Sequence, residues 1–432
     1  MEISELYDVF RQHPVVTTDS RNCPENSIFF ALKGASFNGN AFAKKALEQG
    51  CAYAVVDEKE YAEDGDSRYI LVDDCLKAMQ RLANYHRRQL GTRIIGITGT
   101  NGKTTTKELL AAVLSERFNV LYTEGNLNND IGVPKTLLRL TAEHEIAVVE
   151  MGASHPGDIK TLVDIVEPDC GLITNVGRAH LQGFGSFEGV IRTKGELYDY
   201  LRAHHGKAFI NAGDAHLTAI ADGLELIKYG LSGTEGATVT GEVTVCDPYL
   251  NFRWRNGGNP WRNVPTHIIG SYNMMNMLAA ACAGLYFGVT EEQIDHALSS
   301  YVPRNNRSEL EVTAHNRLII DAYNANPTSM KAAIDNFRDM RADNKMAILG
   351  DMGELGAVSD DEHQRVADML TEAGFANVWL VGKEFGKTKC GFRKFNDVEE
   401  VKRAIEACRP EGCCILIKGS NSMKLFQLPP LL

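Results

Sequence analysis

Short apolar runs separated by longer amphipathic stretches recur along most of the chain. Between Val15 and about Asp73 the runs SIFFAL, AYAVV and YILV read as strands, and AFAKKALEQG reads as a helix closed by a glycine cap. A charged helix over Cys75 to Gln89 then leads through Gly91 into the apolar strand RIIGIT. From there RIIGIT, NVLYT, IAVVEMG, CGLITNV and AFIN alternate with helical segments, which predicts a parallel sheet covered by helices. Met274 to Val289 is apolar but shorter than the ~20 residues a membrane helix needs, so it reads as a buried helix. A polar, proline-containing stretch at Tyr301 to Arg307 precedes a second series, RLIIDAY, KMAILGD, NVWLVG and CCILIKGS. The expected fold class is α/β, in three domains at 1–90, 91–302 and 303–432. No repeat, low-complexity tract or coiled-coil heptad interrupts this pattern.

Composition narrows the partners. The 432 residues are 44% hydrophobic and 23% charged, a globular balance able to supply more than one core. Acids outnumber bases 56 to 45, for a net charge of -11, so nucleic acid is not an expected partner and an anionic ligand has to be held locally. Ten cysteines without paired CxxC spacing fit reduced thiols, and Cys413 and Cys414, in an apolar run, read as packing. MEISELYDVF lacks the basic-then-apolar order of a signal peptide, so a cytoplasmic location without membrane insertion is expected.

The strongest chemical signal is GITGTNGKTTT, Gly96 to Thr106, after a predicted strand and before the apolar helix KELLAAVLSERF. Glycines let backbone N–H groups turn toward phosphate oxygens, Lys103 can meet the β- and γ-phosphates, and Thr104 can ligate magnesium. Against the spacing G-x-x-x-x-G-K-[ST], Ile97 takes the first glycine position, flanked by Gly96 and Gly99. Glu150 ends the strand IAVVE, where ligands bind in open α/β sheets and a hard cation finds oxygen. His180 also follows an apolar strand, and its residue type leaves structural and functional roles open. Lys194, in RTKGELYDYL, reads as an exposed lysine at a helix start. Asn273 and Asn276 precede an apolar helix, where capping and adenine contact are both open. A guanine-reading N-K-x-D, which a switch GTPase would carry, is absent.

In combination and in this order, GTNGKTT, EMGAS, NVGRAHL, TKGEL, the N-x-x-N at Asn273 and Asn276, and DAYNANPTSM resemble the Mur ligase family over essentially the whole chain. The resemblance implies a uridine-binding N-terminal domain, a central phosphate-loop ATP domain and a Rossmann-like C-terminal domain. GNLNNDIGVP (Gly125 to Pro134), DAYNANPTSM and LGDMGELG look most like the members that add D-alanyl-D-alanine, and the DNPR motif of the third-residue ligase is absent. The implied activity is ATP-dependent ligation of D-Ala-D-Ala to UDP-MurNAc-tripeptide through an acyl phosphate, in peptidoglycan precursor synthesis. ATP and magnesium (Mg2+, two ions) are the implied cofactors, and a monomer is expected.

Residue by residue, the resemblance puts Lys103 on the ATP phosphates within the loop of Gly99, Thr100, Asn101, Gly102, Thr104 and Thr105. It gives magnesium to Thr104, Glu150 and His180, and matches Lys194 to the family lysine that is often carbamylated, a change that turns a cation into an oxygen donor. Asn273, Asn276, Arg307 and Asp321 match positions around ATP; Tyr323, Asn324 and Asn326 match a loop facing nucleotide and dipeptide. Asp19, Ser20 and Arg21 match the uridine-side motif, with Asn128 and Asn129 as further substrate-side positions. Lys103, Glu150, His180, Lys194 and Arg307 are the implied catalytic set. Two departures stand out: Tyr272 where many relatives have His, and Asn421 where many have Arg, which Asn cannot replace as a bidentate anion clamp.

Overall fold

The computed structural model describes residues 2–304 and 306–432. Three sheets follow one another along the chain. The first contains β1 (Val16–Thr17), β2 (Ile28–Phe30), β5 (Tyr53–Val56) and β6 (Tyr69–Leu71), all parallel in the order β1-β2-β5-β6, with a short hairpin of β3 (Lys33–Gly34) and β4 (Phe37–Asn38) after β2. Ile28, Phe29 and Phe30 are all buried, as a strand covered on both faces requires. The helix expected in AFAKKALEQG forms as a 3₁₀ turn, Gly39–Phe42, followed by an α-helix at Ala43–Glu48. Helix Ile3–Gln12, which the sequence reading did not isolate, packs Leu6 and Phe10 inward. Helix Cys75–Leu90 runs one residue beyond its expected end; the Asp74 carboxylate accepts the Lys77 N–H at 2.9 Å, and Gly91 closes the helix at a left-handed φ of 65°.

The central sheet has nine strands: β7 (Arg93–Thr98), β8 (Val120–Tyr122), β9 (Ile146–Glu150), β10 (Cys170–Ile173), β11 (Lys207–Asn211), β12 (Glu225–Leu231), β13 (Val239–Cys246), β14 (Tyr249–Asn256) and β15 (Arg262–Ile269). Their order is β15-β14-β13-β12-β11-β10-β7-β9-β8. From β8 to β13 every pairing is parallel, as expected, but β13, β14 and β15 pair antiparallel and extend the sheet as a ribbon. This ribbon lies beyond the strands from RIIGIT to AFIN, whose expected parallel pairing the structure shows. Its cause is visible in β14, where Leu250, Phe252 and Trp254 point inward and alternate with half-buried residues. Helix Met274–Tyr286 is almost wholly buried against helix Lys103–Ser115, as its apolar run predicts.

The third sheet comprises β16 (Glu309–Val312), β17 (Arg317–Asp321), β18 (Lys345–Gly350), β19 (Asn377–Val381), β20 (Arg393–Phe395) and β21 (Cys414–Lys418) in the order β16-β17-β21-β18-β19-β20, parallel except for the β16/β17 edge. Cys414 is buried in β21 and Cys413 is half-buried beside it; all ten cysteines are free thiols. No helix among the described residues is long and apolar enough to cross a membrane.

Candidate active site

The chain leaves β7 toward β8 on one side and returns to β10 on the other, so the crevice beyond the C-terminal end of β7 is where an open α/β sheet places a ligand. The phosphate loop occupies it. The helix it feeds starts at Lys103, four positions before the expected KELL start, because Gly102 makes the turn at a left-handed φ of 79°. A side chain could not stand at Gly99: its φ is 141°, and a Cβ there would come within 2.0 Å of Thr174 Oγ1. The residues after β10 hold the loop. Thr100 N–H donates to Asn175 O at 3.0 Å, Asn101 N–H donates to Asn175 Oδ1 at 3.0 Å, and Thr174 Oγ1–H donates to Asn101 O at 2.6 Å. The loop is thus formed by the protein's own bonds before any ligand contact.

A cavity of about 1000 Å³ opens over this loop and is lined from the central and third sheets. The Lys103 ammonium lies within hydrogen-bond reach of Gly99 O (2.8 Å) and Thr100 O (3.1 Å). Burial lowers its pKa from the usual lysine value, Glu150 opposes that shift and Arg307 adds to it. Glu150 is buried at the end of β9. Its Oε1 accepts from Asn128 Nδ2 at 2.8 Å and Thr104 Oγ1 at 3.3 Å, whereas its Oε2 is buried without a hydrogen-bond partner. A buried carboxylate oxygen left open beside a hydroxyl suits a hard cation. Among the described residues no group of three or more His, Cys, Asp or Glu side chains is gathered for a metal. A cation here would therefore draw part of its shell from water and phosphate, the habit of magnesium.

Most of the remaining expected residues line the same cavity. Arg307 stacks its guanidinium 3.9 Å from the centre of the Tyr323 ring. Asn273 and Asn276 do not cap their helix with their side chains. Instead Asn273 donates to Ile269 O (2.8 Å), Asn276 donates to Asn273 Oδ1 (2.8 Å), and Thr106 Oγ1–H donates to Asn276 Oδ1 (3.1 Å), tying that helix to the phosphate-loop helix. Asn324 and Asn326 reach the cavity from the loop after β17; Asn326 caps helix Pro327–Asp339 through Ser329 N–H (2.9 Å) and donates to Asn101 Oδ1 (2.8 Å). Asn129 lines the cavity, but its Oδ1 accepts the Gly132 N–H at 2.8 Å.

Other positions differ from expectation. Lys194 lies inside helix Phe187–Ala203, seven positions from its start, and is only 2% exposed, which overturns its reading as an exposed helix-start lysine. It is not part of the cavity lining, and its Nζ is 5.5 Å from the centre of the Phe184 ring. Asp19, Ser20 and Arg21 lie in the turn after β1, outside the cavity, with Arg21 Nε donating to Asp19 at 2.9 Å and holding that carboxyl down to about 2. His180 lines the cavity and its Nδ1 bonds Glu354 from the third sheet. Sequence reasoning missed Glu354, the loop-holding Thr174 and Asn175, and Lys418. The last is a buried ammonium donating to Asp321 (2.6 Å) and Asn324 O (3.0 Å); the lysine ending the apolar run CCILIK was its available signal.

Fold and site together define an α/β phosphate-loop protein with a cavity shared between two sheets. Family models match in three consecutive pieces: the Mur ligase family catalytic domain at 14–87, the Mur ligase middle domain at 97–284, and the Mur ligase glutamate ligase domain at 306–421. The chain belongs to the Mur ligase family. It is 36% identical to the UDP-N-acetylmuramoyl-tripeptide–D-alanyl-D-alanine ligase of Bacillus subtilis, with 96% of this chain and 92% of that protein covered. Its structure is similar to MurF of Acinetobacter baumannii (TM-score 0.85, 32% identity, 96% and 92% covered). It is also similar to MurF ligase of Thermotoga maritima in complex with ADP (TM-score 0.86, 25% identity, 97% of each chain covered).

Proposed function

We propose that the protein joins D-alanyl-D-alanine to UDP-N-acetylmuramoyl-tripeptide at the expense of ATP, giving the UDP-linked pentapeptide, ADP and phosphate. The observation that carries this is a preformed phosphate loop facing a buried, half-satisfied carboxylate in a cavity completed by the third sheet. Near-full-length likeness to ligases named for this reaction supports the substrates. We assign residues 1–90 to the uridine nucleotide, 91–302 to ATP and 303–432 to the dipeptide, with Asp19, Ser20 and Arg21 on the uridine side.

An amine does not displace oxygen from a carboxylate at a useful rate. The tripeptide carboxylate therefore takes the γ-phosphoryl group first, and the dipeptide amine then attacks the acyl phosphate through a tetrahedral intermediate that expels phosphate. Each species is strongly anionic in an acidic protein. Lys103, the loop N–H groups and Arg307 supply the local positive charge, positioned in advance by the bonds described above. Magnesium, when bound, would neutralise phosphate charge, with Glu150, Thr104, His180 and a carbamylated Lys194 as its protein-side groups. Asn324 and Asn326 face the dipeptide side, while Asn128 acts through Glu150, whose carboxylate it orients.

The test is phosphate release from ATP and magnesium with UDP-MurNAc-tripeptide, with and without D-Ala-D-Ala. Dipeptide-dependent release with a matching mass gain of the UDP product is expected. No release with either the diaminopimelate or the lysine tripeptide would move the assignment to another amide ligase of this fold.

A further inference from the structure

The contact between His180 and Glu354 joins two sheets at the edge of the cavity. His180 stands just after β10 at a left-handed φ of 51°, and Glu354, in the loop after β18, stands at a left-handed φ of 59°. Residues with a Cβ adopt that conformation at a cost, and here the two that do so bring their side chains together. The Glu354 carboxylate accepts the His180 Nδ1–H, and the Glu354 carbonyl accepts the Gln182 N–H at 3.5 Å. Among the described residues His180 Nε2 makes no hydrogen bond, and the ring lines the same cavity as Glu150. The Glu354 side chain is 61% exposed, so packing does not account for its placement.

A histidine that serves a cation through one ring nitrogen needs the proton fixed on the other, and a carboxylate is the usual means. We propose that Glu354 is a positioning residue for the cation side of the site: it fixes the proton on His180 Nδ1, presents Nε2 to the cation, and does so from the third sheet. The inference rests on the proposed role of His180. Its consequence is that the cation side of the central sheet is complete only while the third sheet is docked. The bond from Asn326 to Asn101 and the ion pair of Arg178 with Glu362 (3.4 Å) hold the two units in that arrangement.

The test uses the full chain with ADP and manganese(II), a spin-bearing stand-in for magnesium, titrated by electron paramagnetic resonance. Glu354→Gly removes the carboxylate and suits the left-handed backbone, so it should fold with an unchanged unfolding midpoint while weakening manganese binding about 10- to 100-fold. Glu354→Gln, whose amide oxygen accepts the same N–H, should recover part of that loss. His180→Ala should weaken binding similarly, and Glu354→Gly should add nothing to it. Manganese affinity unchanged in Glu354→Gly but weakened in His180→Ala would overturn the inference alone. If His180→Ala also binds as the wild type does, the inference falls together with the cation role of His180, whereas dipeptide-dependent ligation by the wild type would leave the proposed reaction standing.

Discussion

At Lys194 a long aliphatic stem carries an amine into the interior beside the Phe184 ring. Burial, reinforced by the Lys103 charge, holds its pKa well below the usual lysine value against the pull of Asp158 and Glu196. Burial favours the neutral form of the amine, which is the form that adds carbon dioxide with loss of a proton, and the resulting carbamate would place an anion near the Lys103 ammonium. Lys194→Ala is expected to lower turnover on the order of 10²–10³-fold, with partial rescue by short carboxylates. Full activity without rescue would remove the carbamate role. The lysine's burial was legible in the spacing: Val190, Lys194, Leu197 and Leu201 fall four, three and four apart, on one buried helix face. Residue type alone pointed the other way, because lysines are seldom buried. By contrast, nothing local in HLQGF or DMGELG marks the approach of His180 to Glu354, since the two are 174 positions apart.

Elements that ran on regular periodicity were readable in advance, and those built from longer-range pairing were not. The parallel strands β7, β9, β10 and β21 appear in the sequence as unbroken apolar runs because helices cover both faces. In the ribbon β14 and β15 alternate instead, and β13 runs from a buried start to an exposed end, so the signal was spread over eight-residue strands with many outward positions. Helix Cys75–Leu90 carries a prediction of its own. His86 on this helix donates from Nε2 to Leu140 O at 2.9 Å and accepts from Tyr7 OH at 3.3 Å, joining three segments. Burial lowers its pKa below the ordinary 6.5, the bond to Leu140 opposing. As pH falls through about 6.5 the unfolded chain takes up a proton that the folded chain still refuses, so stability declines until the lower folded value is passed. Chemical unfolding at pH 7.5 and 5.5 should show a smaller acid-side loss in His86→Gln than in the wild type; equal losses would exclude His86 as a contributor.

For the whole molecule, the links across the cavity are few and polar. Asn326 to Asn101, His180 to Glu354 and Arg178 to Glu362 are contacts that water can replace, so the junction opens more readily at the cavity than on its far side, where Ile269 and Tyr249 of the central sheet pack into the core of the third. Keeping an acyl phosphate from water calls for closure of this kind around bound substrates. Small-angle scattering should therefore give different radii of gyration with and without ATP analogue and tripeptide substrate. Identical radii would count against a closing motion.

The Asn326 side chain has a double engagement, capping helix Pro327–Asp339 through its oxygen and holding the phosphate loop through its nitrogen. A perturbation at either end is thereby transmitted to the other as a change in equilibrium, and such transmission has no preferred direction. If dipeptide, bound where we propose, strengthens ADP binding by some factor, ADP must strengthen dipeptide binding by the same factor. Two titrations run in opposite order would measure that one number twice, and its collapse toward unity in Asn326→Ala would trace the reciprocity to a single amide.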